Sequence, residues 1–304
     1  MKVGVVMGGI SSERDVSLMT GQEMIAHLDQ TKYDVIPVQI DKKEDLIAKA
    51  KDLDLALIAL HGKFGEDGTI QGTLETLGVP YTGSGVLSSS LCMDKNMSKK
   101  IMRFEGIPTP DWVCFSREDE VPYAELEKLG YPLVVKPNSG GSSVGVKIVK
   151  DQDALLSAIK EVFQWDSEVL IEQYVKGDEI TCAVLDGKLL PVLSIRHAGE
   201  FFDYQSKYND ARTIEEPIEL PEALHEKVAK ATLDCYRALK CSVYARIDMM
   251  VKDGVPYVME VNTLPGMTKN SLLPKSARAA GISYSELLDL IIQISLRVRK
   301  SEGM

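Results

Sequence analysis

Apolar residues in the first part of the chain come in short, almost unbroken runs: Val3 to Met7, Tyr33 to Ile40 and Leu55 to Leu60. Between them, Val16 to Leu28 and Lys43 to Asp52 space their apolar positions as helices do. Continuous apolar runs suit strands covered on both faces, so this alternation predicts a parallel sheet with crossover helices. Ligands of such sheets collect beyond the carboxyl ends of the strands, which here are Gly8-Gly9 and His61-Gly62.

The pattern from Leu87 to Phe104 is helical, and Gly106-Ile107-Pro108-Thr109-Pro110 then interrupts it as a linker does. Hairpins follow. Pro132 to Lys136 and Val144 to Val149 flank a glycine-serine loop, a helix is expected from Gln152 to Phe163, and a strand from Glu168 to Gln173. Thr181 to Leu185 and Lys188 to Ile195 alternate around Asp186-Gly187, a strong hairpin signal. Ile195 to Pro221 is polar and aperiodic, which predicts a lid or a disordered segment. Helices are expected again over Pro221 to Leu239 and Ser283 to Val298. The fold class is therefore α/β joined to α+β, in three expected domains: residues 1–95 with the parallel sheet, 96–180 with the glycine-serine loop, and 181–304 with the lid.

The 304 residues carry a formal net charge of −10, which speaks against a nucleic-acid partner. Cys92, Cys114, Cys182, Cys235 and Cys241 show no CxxC pair and no metal-ligand spacing, so they read as buried thiols in a reducing compartment. No leader-like segment opens the chain, and no apolar run approaches the roughly 18 residues of a membrane helix. The expectation is a cytoplasmic protein without a membrane partner.

Two segments carry candidate chemistry. Lys136-Pro137-Asn138-Ser139-Gly140-Gly141-Ser142-Ser143-Val144-Gly145 can enclose phosphate oxygens with backbone amides, or be a mobile hairpin turn; it is neither a Walker loop nor a dinucleotide fingerprint. Tyr244 to Met250 and Tyr257 to Asn262 read as two arms of a hairpin, with Arg246 and Asp248 on one face of the first and Glu260 and Asn262 on one face of the second. Ile247, Met249, Met259 and Val261 fall on the other face. A three-residue loop sets Asp248 opposite Glu260 and Arg246 opposite Asn262; a two-residue loop puts them on opposite faces. Opposed carboxylates repel by a few tenths to about 1 kcal/mol unless a positive charge lies between them. Two carboxylates and an amide suit Mg²⁺ or Mn²⁺, the alternative being an Arg-centred salt-bridge cluster. Lys95, Lys136, His61, Tyr208 and Ser271 are singly ordinary, and Glu13 can form a capping box with the helix near Val16.

As an ordered set, Gly8-Gly9 with Ser11-Ser12-Glu13 and Val16-Ser17, His61 to Gly68, Cys92-Met93-Asp94-Lys95, Lys136 to Gly145, Lys207-Tyr208, Ala245 to Asp248, and Glu260 to Thr268 resemble the D-alanine:D-alanine ligase family of the ATP-grasp superfamily. The resemblance spans essentially the whole chain. It implies an ATP-grasp fold behind an N-terminal parallel α/β (pre-ATP-grasp) domain. It also implies a reaction in which ATP phosphorylates one D-alanine, the amine of a second attacks the acyl phosphate, and the dipeptide serves peptidoglycan synthesis.

By the same resemblance, Lys95, Lys136 and Lys207 neutralise ATP phosphates, Ser142 and Ser143 close over them, Glu172, Tyr174 and Val175 belong to the adenine segment, and Glu179 accepts the ribose hydroxyls. Asp248, Glu260 and Asn262 match the ligands of Mg²⁺ or Mn²⁺, two ions being implied. Arg246 and the amide of Gly266 stabilise developing charge; Glu13 fixes the first D-alanine's ammonium, His61 lines that subsite, and Ser271 with the amide of Leu272 binds the second D-alanine's carboxylate. Tyr208, Ser142 and Glu13 hydrogen-bond across the closed lid, and tyrosine at 208, where D-lactate-accepting relatives carry histidine, favours D-alanine. Arg14 and Lys63 depart from the family's common residues. A homodimer is also implied. The rival readings are a ligase with a D-lactate or D-serine acceptor, a two-lobed amino-acid-binding protein, and a nicotinamide oxidoreductase, the last opposed by the missing glycine fingerprint.

Overall fold

The structure, a computed structural model, describes residues 1–141, 144–196 and 213–304. Strands β1 (Lys2–Gly8), β2 (Asp34–Ile40) and β3 (Leu55–Ile58) form the expected parallel sheet, in the order β2-β1-β3. β1 is central and buried from Val3 to Gly8, whereas the edge strand β2 is partly exposed. Helix α1 (Arg14–His27) follows β1, and a Cβ on its Gly21 would stand 2.6 Å from the Met7 Cβ. Glu13 is at the N-cap of α1 but makes no side-chain cap, so the expected capping box does not form. Helices α2 (Lys43–Ala50) and α3 (Thr69–Leu77) complete this layer.

The helical stretch after Leu87 is two helices, α4 (Val86–Met93) and α5 (Lys95–Phe104). Asp94 divides them, its carboxylate capping α5 by accepting from Met97 N at 2.9 Å. The second sheet is antiparallel, β4 (Trp112–Ser116), β7 (Glu168–Gln173), β5 (Leu133–Pro137) and β6 (Lys147–Val149) in that spatial order. Helices α6 (Tyr123–Leu129) and α7 (Gln152–Val162) seal it over Phe115, Leu133, Val135, Leu155 and Ile171.

The third sheet contains β8 (Asp178–Leu185), β9 (Lys188–Leu189), β10 (Leu193–Arg196), β11 (Ile214–Pro217), β12 (Tyr244–Lys252) and β13 (Val255–Asn262). Its order is β11-β10-β8-β12-β13, with β9 on β8. The expected single strand from Lys188 to Ile195 is thus split. β11 lies in the stretch read as aperiodic; it is a short edge strand with little buried, and its partner β10 rather than its own pattern defines it. Helix α8 (Glu222–Ala238) covers this sheet, and Met102 and Ile107 join its core.

The chain then returns to its start. Helices α9 (Leu272–Ala279) and α10 (Tyr284–Ser301) pack Leu273, Ala277, Leu287, Leu288 and Ile291 into the core of the first sheet. Among the described residues no single helix is long and apolar enough to cross a membrane; the bent pair α9 and α10 passes by length and composition and lies in this core. All five cysteines are free; four are buried and Cys114 is half-buried.

The β12–β13 hairpin corrects the expected loop. Lys252 pairs with Val255, so the turn is the two-residue Asp253-Gly254, both in left-handed backbone conformations. An unbroken ladder from that turn would set Asp248 opposite Met259 and send Glu260 to the other face. Instead Met249 pairs with Val258 and Asp248 with Glu260, leaving Met259 as a β-bulge. Met259 consequently turns toward the cleft and does not join Ile247 and Val261 in the core.

Candidate active site

A cleft of about 1360 Å³ is lined by α1 and the loops at the carboxyl ends of the first sheet, by the second and third sheets, and by the loop after β13. It exceeds the roughly 300–1,000 Å³ common for one small ligand, which leaves room for a nucleotide and amino acids together. Among the described candidates, Glu13, His61, Lys95, Lys136, Glu172, Tyr174, Val175, Glu179, Arg246, Asp248, Glu260, Asn262, Gly266, Ser271 and Leu272 all line it. Ser142, Ser143, Lys207 and Tyr208 lie outside the described residues, as does most of the expected lid.

At the carboxyl ends of β1 and β3, Ser11 Oγ donates to His61 O at 2.7 Å and accepts from Glu13 N at 3.2 Å. This ties the loop before α1 to the end of the β3 segment. The Glu13 carboxylate stands over Gly62 and also approaches Gly141, each close enough that an added Cβ would be 2.6 and 3.6 Å from Oε2. It thereby stands between the first layer and the glycine-serine loop. His61 is buried, with Nε2 3.2 Å from Thr20 Oγ1 and Nδ1 3.5 Å from Glu66 Oε1. Burial raises the Glu66 carboxyl above its usual value, against the opposing pull of His61.

The capped start of α5 points Lys95 into the cleft, where Nζ donates to Gly140 O at 2.5 Å and lies 3.9 Å from Glu260 Oε2. Burial lowers its ammonium, with Glu260 opposing. Lys136, on β5, pairs with Glu172 of the adjacent β7. Tyr174 and Val175 follow that strand, and Glu179 lies on β8. The connection between the two sheets runs through Gly177, where a Cβ would meet Val251 O at 2.2 Å, so this end of the cleft is set by a close backbone approach.

On the third sheet Arg246 holds Asp248 in a fork, Nε to Oδ1 at 2.9 Å and NH2 to Oδ2 at 2.8 Å. Thr181 Oγ1 donates to Asp248 Oδ1 at 2.6 Å and Asn262 Nδ2 to Oδ2 at 3.1 Å. Burial works to lower Arg246, but Asp248 overcomes it and holds the guanidinium above its usual value. Glu260, directly across the ladder, has Lys95 as a distant partner. Among the described residues no three His, Cys, Asp or Glu side chains converge as a metal site. The hairpin supplies two carboxylates, with an amide as third group. That donor set fits a hard divalent cation, which would answer the repulsion of the opposed carboxylates.

After β13, Gly266 lies against Ser271, and a Cβ there would approach Ser271 Oγ to 3.1 Å. Ser271 precedes α9, its Oγ 2.8 Å from Thr268 Oγ1 and its own amide donating to Thr268 O. With Leu272 as the helix's first residue, this corner offers a hydroxyl and unpaired-turn amides to an anion.

Thr20, Glu66, Lys99 and Thr181 were not anticipated from sequence. One had a signal: the buried face of α5 is Lys95, Ser98, Lys99 and Met102, a helical stripe that places two lysines one turn apart on an inward face. Glu66 meets His61 from five residues further along the same loop, inside the His61 to Gly68 motif, whereas Thr20 and Thr181 are joined to their partners only by long-range packing.

Residues 101–293 match the family described as D-ala D-ala ligase C-terminus, and residues 2–51 and 44–84 match D-ala D-ala ligase N-terminus. The D-alanine–D-alanine ligase of Bacillus anthracis is 69% identical over 303 residues, covering 100% of both chains. The chain belongs to the D-alanine–D-alanine ligase family. A crystal structure of the Bacillus anthracis ligase complexed with ATP superposes with a TM-score of 0.93 at 66% identity, covering 100% of each chain. The VanG D-Ala:D-Ser ligase of Enterococcus faecalis superposes with a TM-score of 0.83 at 32% identity, covering 97% of this chain and 99% of that one. ATP-grasp architecture in this ligase family accounts for the two antiparallel sheets facing one cleft behind a parallel one.

Proposed function

We propose that the protein is an ATP-dependent ligase that joins two D-alanine molecules, releasing ADP and phosphate and supplying the dipeptide for peptidoglycan. The observation that carries the reading is the convergence of carboxylates, lysines, Arg246 and the Ser271 corner on one cleft large enough for ATP and two amino acids. The full-length likeness to a D-alanine–D-alanine ligase at 69% identity supports D-alanine as acceptor over D-serine, whose ligase is 32% identical.

In this reading Glu13 and His61 receive the first D-alanine, its ammonium on the Glu13 carboxylate. A carboxylate oxygen of that D-alanine attacks the γ-phosphorus of ATP, the bond to the β-phosphate oxygen breaks, and ADP leaves. Lys95 and Lys136, with Lys207, offset the phosphate charge; Ser142 and Ser143 cover it. The adenine end is read by backbone groups of the segment Glu172, Tyr174 and Val175, with the Glu179 carboxylate for the ribose. Asp248, Glu260 and Asn262 would hold Mg²⁺ or Mn²⁺, two ions in this reading, which would supply electrophilic shielding of the phosphates. Ser271 and the Leu272 amide orient the second D-alanine through its carboxylate. Its neutral amine attacks the acyl carbon, phosphate departs, and the attacking nitrogen loses its extra proton. Arg246 and the Gly266 amide face the charge that develops, and Glu13, Ser142 and Tyr208 form a hydrogen-bonded closure that keeps water from the acyl phosphate.

We assign residues 1–95, 96–180 and 181–304 to substrate, central and C-terminal ATP-grasp domains, a division supported by the three separate sheets, although the second boundary falls within β8 and α9 and α10 return to the first core. We also propose a cytoplasmic homodimer; five free cysteines suit a reducing compartment, and light scattering tests the dimer. The function itself is tested by phosphate release from ATP and Mg²⁺ with D-alanine, L-alanine, or D-alanine plus D-serine or D-lactate, with products identified by mass. D-alanyl-D-alanine from D-alanine alone is expected. Release only with a second acceptor moves the acceptor assignment, and no release with any mixture refutes the ligase.

A further inference from the structure

Lys99 is not among the groups that line the cleft, yet it is completely buried directly behind the lining residue Glu172. Its Nζ is 2.8 Å from Glu172 Oε2, donates to Thr109 Oγ1 at 2.8 Å, and stands 5.4 Å from the centre of the Trp112 ring. Glu172 is equally buried, and its other oxygen receives Lys136. One carboxylate therefore faces two ammonium groups, and the cluster holds one surplus positive charge. A buried surplus is costly unless a further partner arrives. Lys136 is the member that reaches the cleft surface, so the surplus faces the ligand.

We propose that Lys99 is a positioning residue for the nucleotide: it is the permanent counter-ion of Glu172, leaving Lys136 free to turn to a phosphate without stranding a buried carboxylate. This rests on the reading that Lys136 meets the phosphates of ATP. Burial pushes the Lys99 ammonium down to about 8, with Glu172 opposing. Burial also works to raise Glu172, but the two ammonium groups hold it below its usual value. At pH 7 both members of the permanent pair are thus charged. With Lys99 removed, Glu172 and an incoming phosphate compete for Lys136.

The test is calorimetric titration of the intact protein with ATP and Mg²⁺, using Lys99→Met, the double variant Lys99→Met/Glu172→Gln, and Lys136→Met. Lys99→Met is expected to weaken ATP binding about tenfold, and the double variant, which removes the competing carboxylate, to return within about threefold of the parent. A merely structural lysine gives no such recovery. Unchanged affinity in Lys99→Met with a clear loss in Lys136→Met overturns the proposal while keeping the phosphate reading. Unchanged affinity in Lys136→Met overturns the phosphate reading on which it rests. If Lys99→Met does not fold, the double variant, which keeps only Lys136 of the three charges, decides alone: a loss of about tenfold in a natively folded double variant refutes the idea.

Discussion

Replacing Glu260 by Gln separates a functional carboxylate from a structural one. Glu260 lies directly opposite Asp248 on the β12–β13 ladder, and its nearest positive partner, Lys95 Nζ, is 3.9 Å away. Opposed like charges cost a few tenths to about 1 kcal/mol, so the substitution relieves repulsion. It also gives up a loose ion pair, worth roughly 0.2–1 kcal/mol. The two nearly cancel, and the change in unfolding free energy is expected to stay within about 1 kcal/mol of zero. Turnover responds quite differently. A metal-bound phosphate draws several kcal/mol from its cation, and weakening the site by one formal charge is expected to cost about 3–4 kcal/mol of barrier, roughly 10²–10³-fold in rate. Phosphate release at rising Mg²⁺, alongside thermal unfolding without ligand, checks both halves. Turnover within about threefold of the parent at saturating Mg²⁺ refutes the metal role. A large loss of stability instead assigns Glu260 to a salt-bridge cluster.

Further expectations follow from single contacts. Thr181→Val removes the hydroxyl that donates to Asp248 Oδ1; with Arg246 and Asn262 still bonded, the protein should lose about 1 kcal/mol and require more Mg²⁺ for half-maximal rate, and an unchanged Mg²⁺ response would count against Thr181 as an orienting group. Gly177→Ala puts a Cβ 2.2 Å from Val251 O, so backbone must move; a stability loss of about 1–3 kcal/mol and a raised KM for ATP are expected, and steady-state kinetics with unaltered KM would contradict the placement of the nucleotide end. Lys99, facing Glu172, Lys136 and Arg103, has its ammonium lowered by burial from 10.5 to about 8, so the unfolded chain binds more protons than the native one between these values. Its contribution to stability therefore rises with pH across that window. Denaturant titrations of the parent and Lys99→Met should diverge in slope there, and parallel curves would show that Lys99 does not titrate.

Periodicity and the turn residues were enough to mark the parallel β1-β2-β3 layer, the glycine-serine hairpin and the two acid-bearing arms, because each is a local rule: buried runs make central strands and Asp-Gly makes a tight turn. The ordered motifs identified the family for the same reason, being residues at fixed spacing. Which groups face one another was settled by packing. The tight Asp253-Gly254 turn alone puts Asp248 and Glu260 on opposite faces, and only the bulge at Met259, a response to twist and partner strands, brings them together. Helices α9 and α10 carry an apolar face whose destination their own pattern does not name; burial against the first sheet fixes it and seats Ser271 at the cleft. Likewise, Lys99 announces itself only as a lysine on an inward stripe of α5. Its counter-ion lies on β7, far away in sequence, and a buried charge has meaning only once its neighbours are in place, because desolvation and pairing are properties of the folded surroundings.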